Sequence, residues 1–156
     1  MTGKTTLIES IIQELKRRGY SVASVKSSGH APTEETGSDT WKHRQAGAEL
    51  TVFLGSTDEE DRRTRVERIK SALGEREFDF LVVEGMKNSK IPKVWCLTDM
   101  SALEDSVPPE TRMIVLRDNV NLEPHRGIPV VHPENLQSIV DMVIESAADL
   151  DGLDES

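Results

Sequence analysis

The run Phe-Asp-Phe-Leu-Val-Val, from Phe78 to Val83, most narrows the folds open to this chain. It is short for a core helix and apolar at nearly every position. It therefore lacks the alternation of a strand with one wet face. Such a run reads as a strand covered on both faces, the kind found in parallel sheets. It ends at Glu84-Gly85, which puts a carboxylate at the carboxyl end of the strand.

The rest of the chain agrees with that architecture. Tyr20 to Lys26, Leu50 to Leu54, Lys93 to Leu97, Met113 to Leu116 and Ile128 to Val131 read as further strands. Leu7, Ile8, Ile11, Ile12 and Leu15 recur at helical spacing, with Gly19 as a stop. Ser38 or Asp39 caps a short helix through Ala46. Thr57 to Leu73 reads as a charged helix with Val66, Ile69 and Leu73 on its apolar face, and Leu136, Ile139, Val140, Val143 and Ile144 mark a last helix. Strands alternating with helices imply an α/β fold with a mostly parallel sheet, covered on both faces. No internal repeat or long linker divides the chain, so the expectation is one domain over residues 1–148 and a small acidic tail over 149–156. Ligands on such sheets bind beyond the carboxyl ends of the strands. The loops after Lys26, Glu84 and Leu116 are where chemistry is expected.

Composition excludes several classes. The net charge of −9 over 156 residues argues against a nucleic-acid binder, whose footprint is basic. It also argues against a polybasic membrane anchor. No apolar run approaches the roughly 18 residues of a membrane span, and the start lacks a secretory signal. Cys96 is the single cysteine, so no disulfide can form within the chain and a cytoplasmic setting is expected.

Gly3-Lys4-Thr5-Thr6 stands at the head of the first amphipathic helix. It matches the second half of the phosphate-binding pattern G-x-x-x-x-G-K-[ST]. Glycine there lets backbone N–H groups approach a phosphate, and the helix start adds positive potential. Lys4 would reach the β/γ-phosphates, the Thr5 hydroxyl would ligate Mg²⁺, and Thr6 would contact the α-phosphate. The motif's first glycine and the strand before it would fall upstream of Met1. The expectation is a chain begun at an internal methionine rather than a protein that lacks the strand.

Glu84 resembles the second acidic group of phosphate-binding ATPases and GTPases, which holds Mg²⁺ through water or orients a nucleophile. Lys26, at another strand's carboxyl end, is a candidate phosphate partner. Asp39 either approaches Mg²⁺ or caps its helix. Asp118, after the strand Met113–Leu116, is placed to read guanine N1 and N2, although no N-K-x-D string is present and a turn explains it equally well. Lys26, Lys42, Arg44, Lys87, Lys90 and Lys93 are candidates for a local anion pocket. His30 and His43 are not at metal-ligand spacing with a cysteine, and a zinc site is not expected.

With these residues assembled, the chain resembles the molybdopterin-guanine dinucleotide biosynthesis protein B (MobB) family. Four segments carry the likeness: Gly3-Lys4-Thr5-Thr6-Leu7; Val25-Lys26 followed by His30; Gly37-Ser38-Asp39-Thr40-Trp41 leading to Arg44-Gln45-Ala46-Gly47-Ala48; and Leu81-Val82-Val83-Glu84-Gly85-Met86-Lys87 with Pro92-Lys93-Val94. The family's first strand and first loop glycine are missing, and Met86 stands where Phe is common. The resemblance implies a P-loop NTPase-like three-layer sandwich lacking its first strand. It also implies GTP binding with Mg²⁺, a homodimer, and an adapter role beside the guanylyltransferase that attaches GMP to molybdopterin, with at most weak GTPase activity. Two rivals remain open from the residues: a small-molecule P-loop kinase, and an interaction protein impaired in nucleotide binding. Arg62, Arg63, Arg65 and Arg68 would be the kinase's lid, but their alternation with Glu suggests a solvated face.

Overall fold

The computed structural model describes residues 4–27, 39–54, 65–86, 89–97, 107–117 and 124–150, with the side chains of residues 4, 5, 39–41 and 65 outside that description. In chain order the elements are α1 (Lys4–Arg17), β1 (Val22–Ser27), α2 (Asp39–Ala46), β2 (Leu50–Leu54), α3 (Arg65–Leu73), β3 (Phe80–Glu84), β4 (Lys93–Leu97), β5 (Thr111–Leu116), β6 (Val130–Val131) and α4 (Leu136–Ser146). The strands pair in two groups, β2-β1-β3 and β4-β5-β6, and every pairing of named strands is parallel. The expected mixed α/β chain with parallel sheets is therefore observed. Among the described residues no helix is long and apolar enough to cross a membrane.

Contacts divide the chain into two compact units, one of residues 8–86 and one of residues 1–7 with 87–154. In the first unit, Ile11, Ile12 and Leu15 of α1 are buried, as are Val22, Ala23 and Val25 of β1 and Ile69 of α3. These are the periodic apolar positions of the sequence, and their burial drives the packing. In the second unit Leu97, Ile114, Leu116 and Val130 form a core lined by Trp95, Val107 and Ile128. Ile139 and Val140 of α4 are also buried.

Element boundaries move by a residue or two where side-chain patterning is silent. The last strand is shorter than its apolar run. Ile128 instead makes an isolated antiparallel bridge with His125, across a tight reversal at Arg126-Gly127. The charged helix is described only over Arg65–Leu73, and its expected first turns at 57–64 lie outside the described residues. β3 differs in burial from the strand its sequence implies: Phe80 to Val83 are only half-buried. Among the described residues β3 pairs with β1 alone, so one edge carries its backbone partners.

Candidate functional site

Strand register builds the site. Ser24 and Lys26 are two residues apart on β1 and so project from the same face of the sheet. In the parallel ladders Thr51 of β2 lies beside Ser24, and Glu84 of β3 lies beside Lys26. Four polar side chains thus share one face of these strands. α2 lies against β1 and β2 and brings a fifth, His43, whose side chain is fully buried.

The sequence fixes where α2 ends, and with it His43. The Gly47 N–H donates to the Arg44 carbonyl and the Ala48 N–H to the His43 carbonyl, at 3.1 and 3.2 Å. This pair of bonds is the Schellman closure, which needs a left-handed residue after the helix. Gly47 supplies it with φ +117°.

The five side chains form one hydrogen-bonded series. His43 Nε2 lies 3.0 Å from Glu84 Oε1, and Lys26 Nζ donates to Glu84 Oε2 at 2.9 Å. His43 Nδ1 lies 2.9 Å from Ser24 Oγ, which is 3.2 Å from Thr51 Oγ1. Burial alone would push the Glu84 carboxyl up, but the His43 and Lys26 hydrogen bonds and the Lys26 charge outweigh it. The net result is a pKa pushed down from 4.5 to about 2, so Glu84 is ionised at neutral pH. Hydrogen bonds to the charged form are the cause expected to lower a carboxyl's pKa in this way.

The chain turns sharply just past the carboxylate. Gly85 has φ +103° and Met86 has φ +58°. A Cβ on Gly85 would sit 2.6 Å from the Ser27 carbonyl oxygen. Glycine is therefore required both for its backbone conformation and for the close approach of β1.

The other expected site residues fall in different places. Lys4 and Thr5 open α1, and Thr6 is exposed in its first turn. Gly3, His30, Lys87 and Asp118 lie outside the described residues. Asp39 opens α2, with its side chain outside the description. Lys93 is committed elsewhere than an anion pocket: its Nζ donates to the Ser89 carbonyl at 2.8 Å and to the Pro109 carbonyl. Burial pushes the Lys93 amine pKa down, with Glu110 opposing. Among the described residues no three His, Cys, Asp or Glu side chains come together to hold a metal.

His43 is the residue that sequence reasoning left unused. A signal existed: Ser24 and Lys26 place polar groups at one parity of a buried strand, which demands a polar partner on the covering element. Spacing could not say which residue of α2 would meet them.

The parallel strands and the helices packed on them make this an α/β protein, and its structural likeness to a solved protein places it in the P-loop NTPase-like class. The crystal structure of Bacillus subtilis MobB shares the fold, with a TM-score of 0.65 at 27% sequence identity over 94% of this chain and 92% of that one. Residues 1–116 match the family described as "Molybdopterin guanine dinucleotide synthesis protein B" (MobB), and the chain belongs to that family. A Bacillus subtilis (strain 168) relative named "Probable molybdopterin-guanine dinucleotide biosynthesis adapter protein" is 29% identical over 140 residues, covering 86% of this chain and 81% of the relative. The Escherichia coli (strain K12) "Molybdopterin-guanine dinucleotide biosynthesis adapter protein" is 24% identical over 155 residues, covering 92% and 86% respectively.

Proposed function

We propose that this chain is a GTP-binding adapter in the formation of molybdopterin guanine dinucleotide, working beside the guanylyltransferase that attaches GMP to molybdopterin. The observation that carries the reading is Glu84, ionised and held from two sides at the carboxyl end of β3, in a chain of the MobB family. The named relatives support the adapter role.

Each residue has a physical part. Lys4, Thr5 and Thr6 open α1, where the first backbone N–H groups of a helix have no helical partner and the helix dipole favours an anion, and Gly3 precedes them in the sequence motif. Lys4 holds the β/γ-phosphates, Thr6 the α-phosphate, and Thr5 offers its hydroxyl to Mg²⁺. Glu84 would help to hold Mg²⁺ through water or orient a nucleophile, with Asp39 as a second acidic candidate. Lys26 pairs with Glu84 and would attract phosphate. Asp118 reads the guanine edge. Mg²⁺, when bound, supplies charge neutralisation at the phosphates. The donor set suits it, because Mg²⁺ takes hard oxygen ligands and is held by one or two carboxylates with phosphates and water. An arginine finger is worth about 10³–10⁵-fold in GTP hydrolysis, and the adapter reading goes with weak hydrolysis at most. A homodimer in the cytoplasm completes the reading.

Calorimetric titration of GTP, GDP and ATP, with and without Mg²⁺, tests it on the chain and on Lys4→Ala. The expected result is Mg²⁺-supported binding that prefers GTP to ATP and is lost in Lys4→Ala. Phosphorylation of a small-molecule acceptor would shift the reading to a kinase. Absence of binding by all three nucleotides would overturn it.

A further inference from the structure

Two of the groups that hold the Glu84 carboxylate are unlike in character. Lys26 is a flexible ammonium on a four-carbon stem with a fifth of its side chain exposed, at 21%. It supplies charge but fixes direction poorly. His43 is a rigid ring with no exposure at all. An ionised carboxylate only accepts, so the hydrogen shared with Oε1 sits on Nε2 whichever charge the ring carries. The opposite nitrogen, Nδ1, meets Ser24 Oγ, and Ser24 meets Thr51 across the β1–β2 ladder. The ring therefore cannot rotate without leaving buried polar atoms unmatched at both ends, at a cost of about 1–3 kcal/mol for each. Its backbone is pinned by the closure at Gly47.

We propose that His43 is a positioning residue: its Nε2–H sets the plane of the Glu84 carboxylate so that it faces a metal-bound water, and Ser24 and Thr51 hold the imidazole in that register. The proposal rests on the nucleotide-binding reading above. The pattern is that of metal sites in which a second layer of hydrogen bonds orients the ligating layer, and losing such a partner costs about 10–100-fold in metal affinity.

The test uses two amide substitutions in the full chain. In His43→Gln the amide reaches toward the place of Nε2 and can still donate to Glu84. In His43→Asn it reaches only the place of Nδ1, beside Ser24. Thermal melts establish that both fold. The Mg²⁺-supported part of GTP affinity is expected to fall about 10–100-fold in His43→Asn and mostly to return in His43→Gln. Affinity measured in EDTA should be unchanged in both. Equal Mg²⁺-supported affinities in the two variants, or equal losses with and without Mg²⁺, would overturn the proposal. If the unmodified chain shows no Mg²⁺-supported GTP binding, the functional reading fails, and the positioning is then judged on the free protein. A two-bond ¹H–¹⁵N spectrum should place a hydrogen on His43 Nε2, with Ser24→Ala shifting the Nδ1 signal. A hydrogen on Nδ1 alone would overturn the positioning as well.

Discussion

Replacing Glu84 with Gln keeps the side chain's shape and removes its charge, and should cost stability at neutral pH but less in acid. The carboxyl titrates at about 2 in the folded chain against an ordinary 4.5. A folded pKa below the unfolded one means that the ionised form stabilises the fold. That contribution is fully present above about pH 4.5 and fades as pH falls towards about 2. At roughly 1.4 kcal/mol per pKa unit the upper bound is about 3 kcal/mol, and solvent screening around Lys26 brings the expectation to roughly 1–3 kcal/mol. Integration of the linkage puts roughly half of the loss above pH 3. The assay is urea denaturation of the chain and of Glu84→Gln at pH 7, 5.5, 4 and 3. The unmodified chain should be the more stable at pH 7. The gap should narrow as pH falls below about 4.5, because only the unmodified chain has this carboxylate to protonate. Other acidic groups titrate in both proteins and cancel in the difference. A gap that stays constant from pH 7 to pH 3 would mean that the fold does not favour the ionised form of Glu84.

Lys26→Met removes the ammonium that donates to Glu84 Oε2, and should raise the carboxyl pKa and lower stability by about 1–3 kcal/mol, read by the same denaturation series. Gly85→Ala places a Cβ 2.6 Å from the Ser27 carbonyl at φ +103°, so strain of about 1–3 kcal/mol should appear as a lower melting temperature. Ile12→Ala removes a fully buried side chain from the α1 face and should cost about 2–5 kcal/mol in denaturation experiments. Lys93→Met strips the amine from two carbonyl partners and should destabilise the chain without changing GTP affinity in calorimetry, because that amine is bound to backbone.

Local patterning made the elements legible. Ile11, Ile12 and Leu15 announce α1 because a helix can bury only residues spaced at its own period. Asp39 to Ala46 and Leu50 to Leu54 are observed with the bounds that capping and strand chemistry suggest. The acidic strand end at Glu84 was visible for the same reason, since an apolar run that stops at Glu-Gly marks the edge of a covered sheet. The half-burial of Phe80 to Val83 was not visible, because burial depends on what lies beside a strand as well as on its own side chains.

Local patterning was enough for the α/β class, for the amphipathic face from Leu7 to Leu15 and for a carboxylate at the end of β3, because each depends on residues close together in the chain; that the helix already begins at Lys4 came from the fold. Tertiary structure alone decided which groups that carboxylate meets. Lys26 and Glu84 are 58 residues apart and His43 and Glu84 are 41 apart. They meet because parallel register sets Lys26 beside Glu84 and because α2 covers that face of the sheet. Lys93 makes the same point: only the folded chain shows that its amine donates to the Ser89 and Pro109 carbonyls. Neither register nor covering is encoded by any one segment. Both follow from burying the apolar faces of several segments at once, and the charges on those segments then take the partners that burial leaves them.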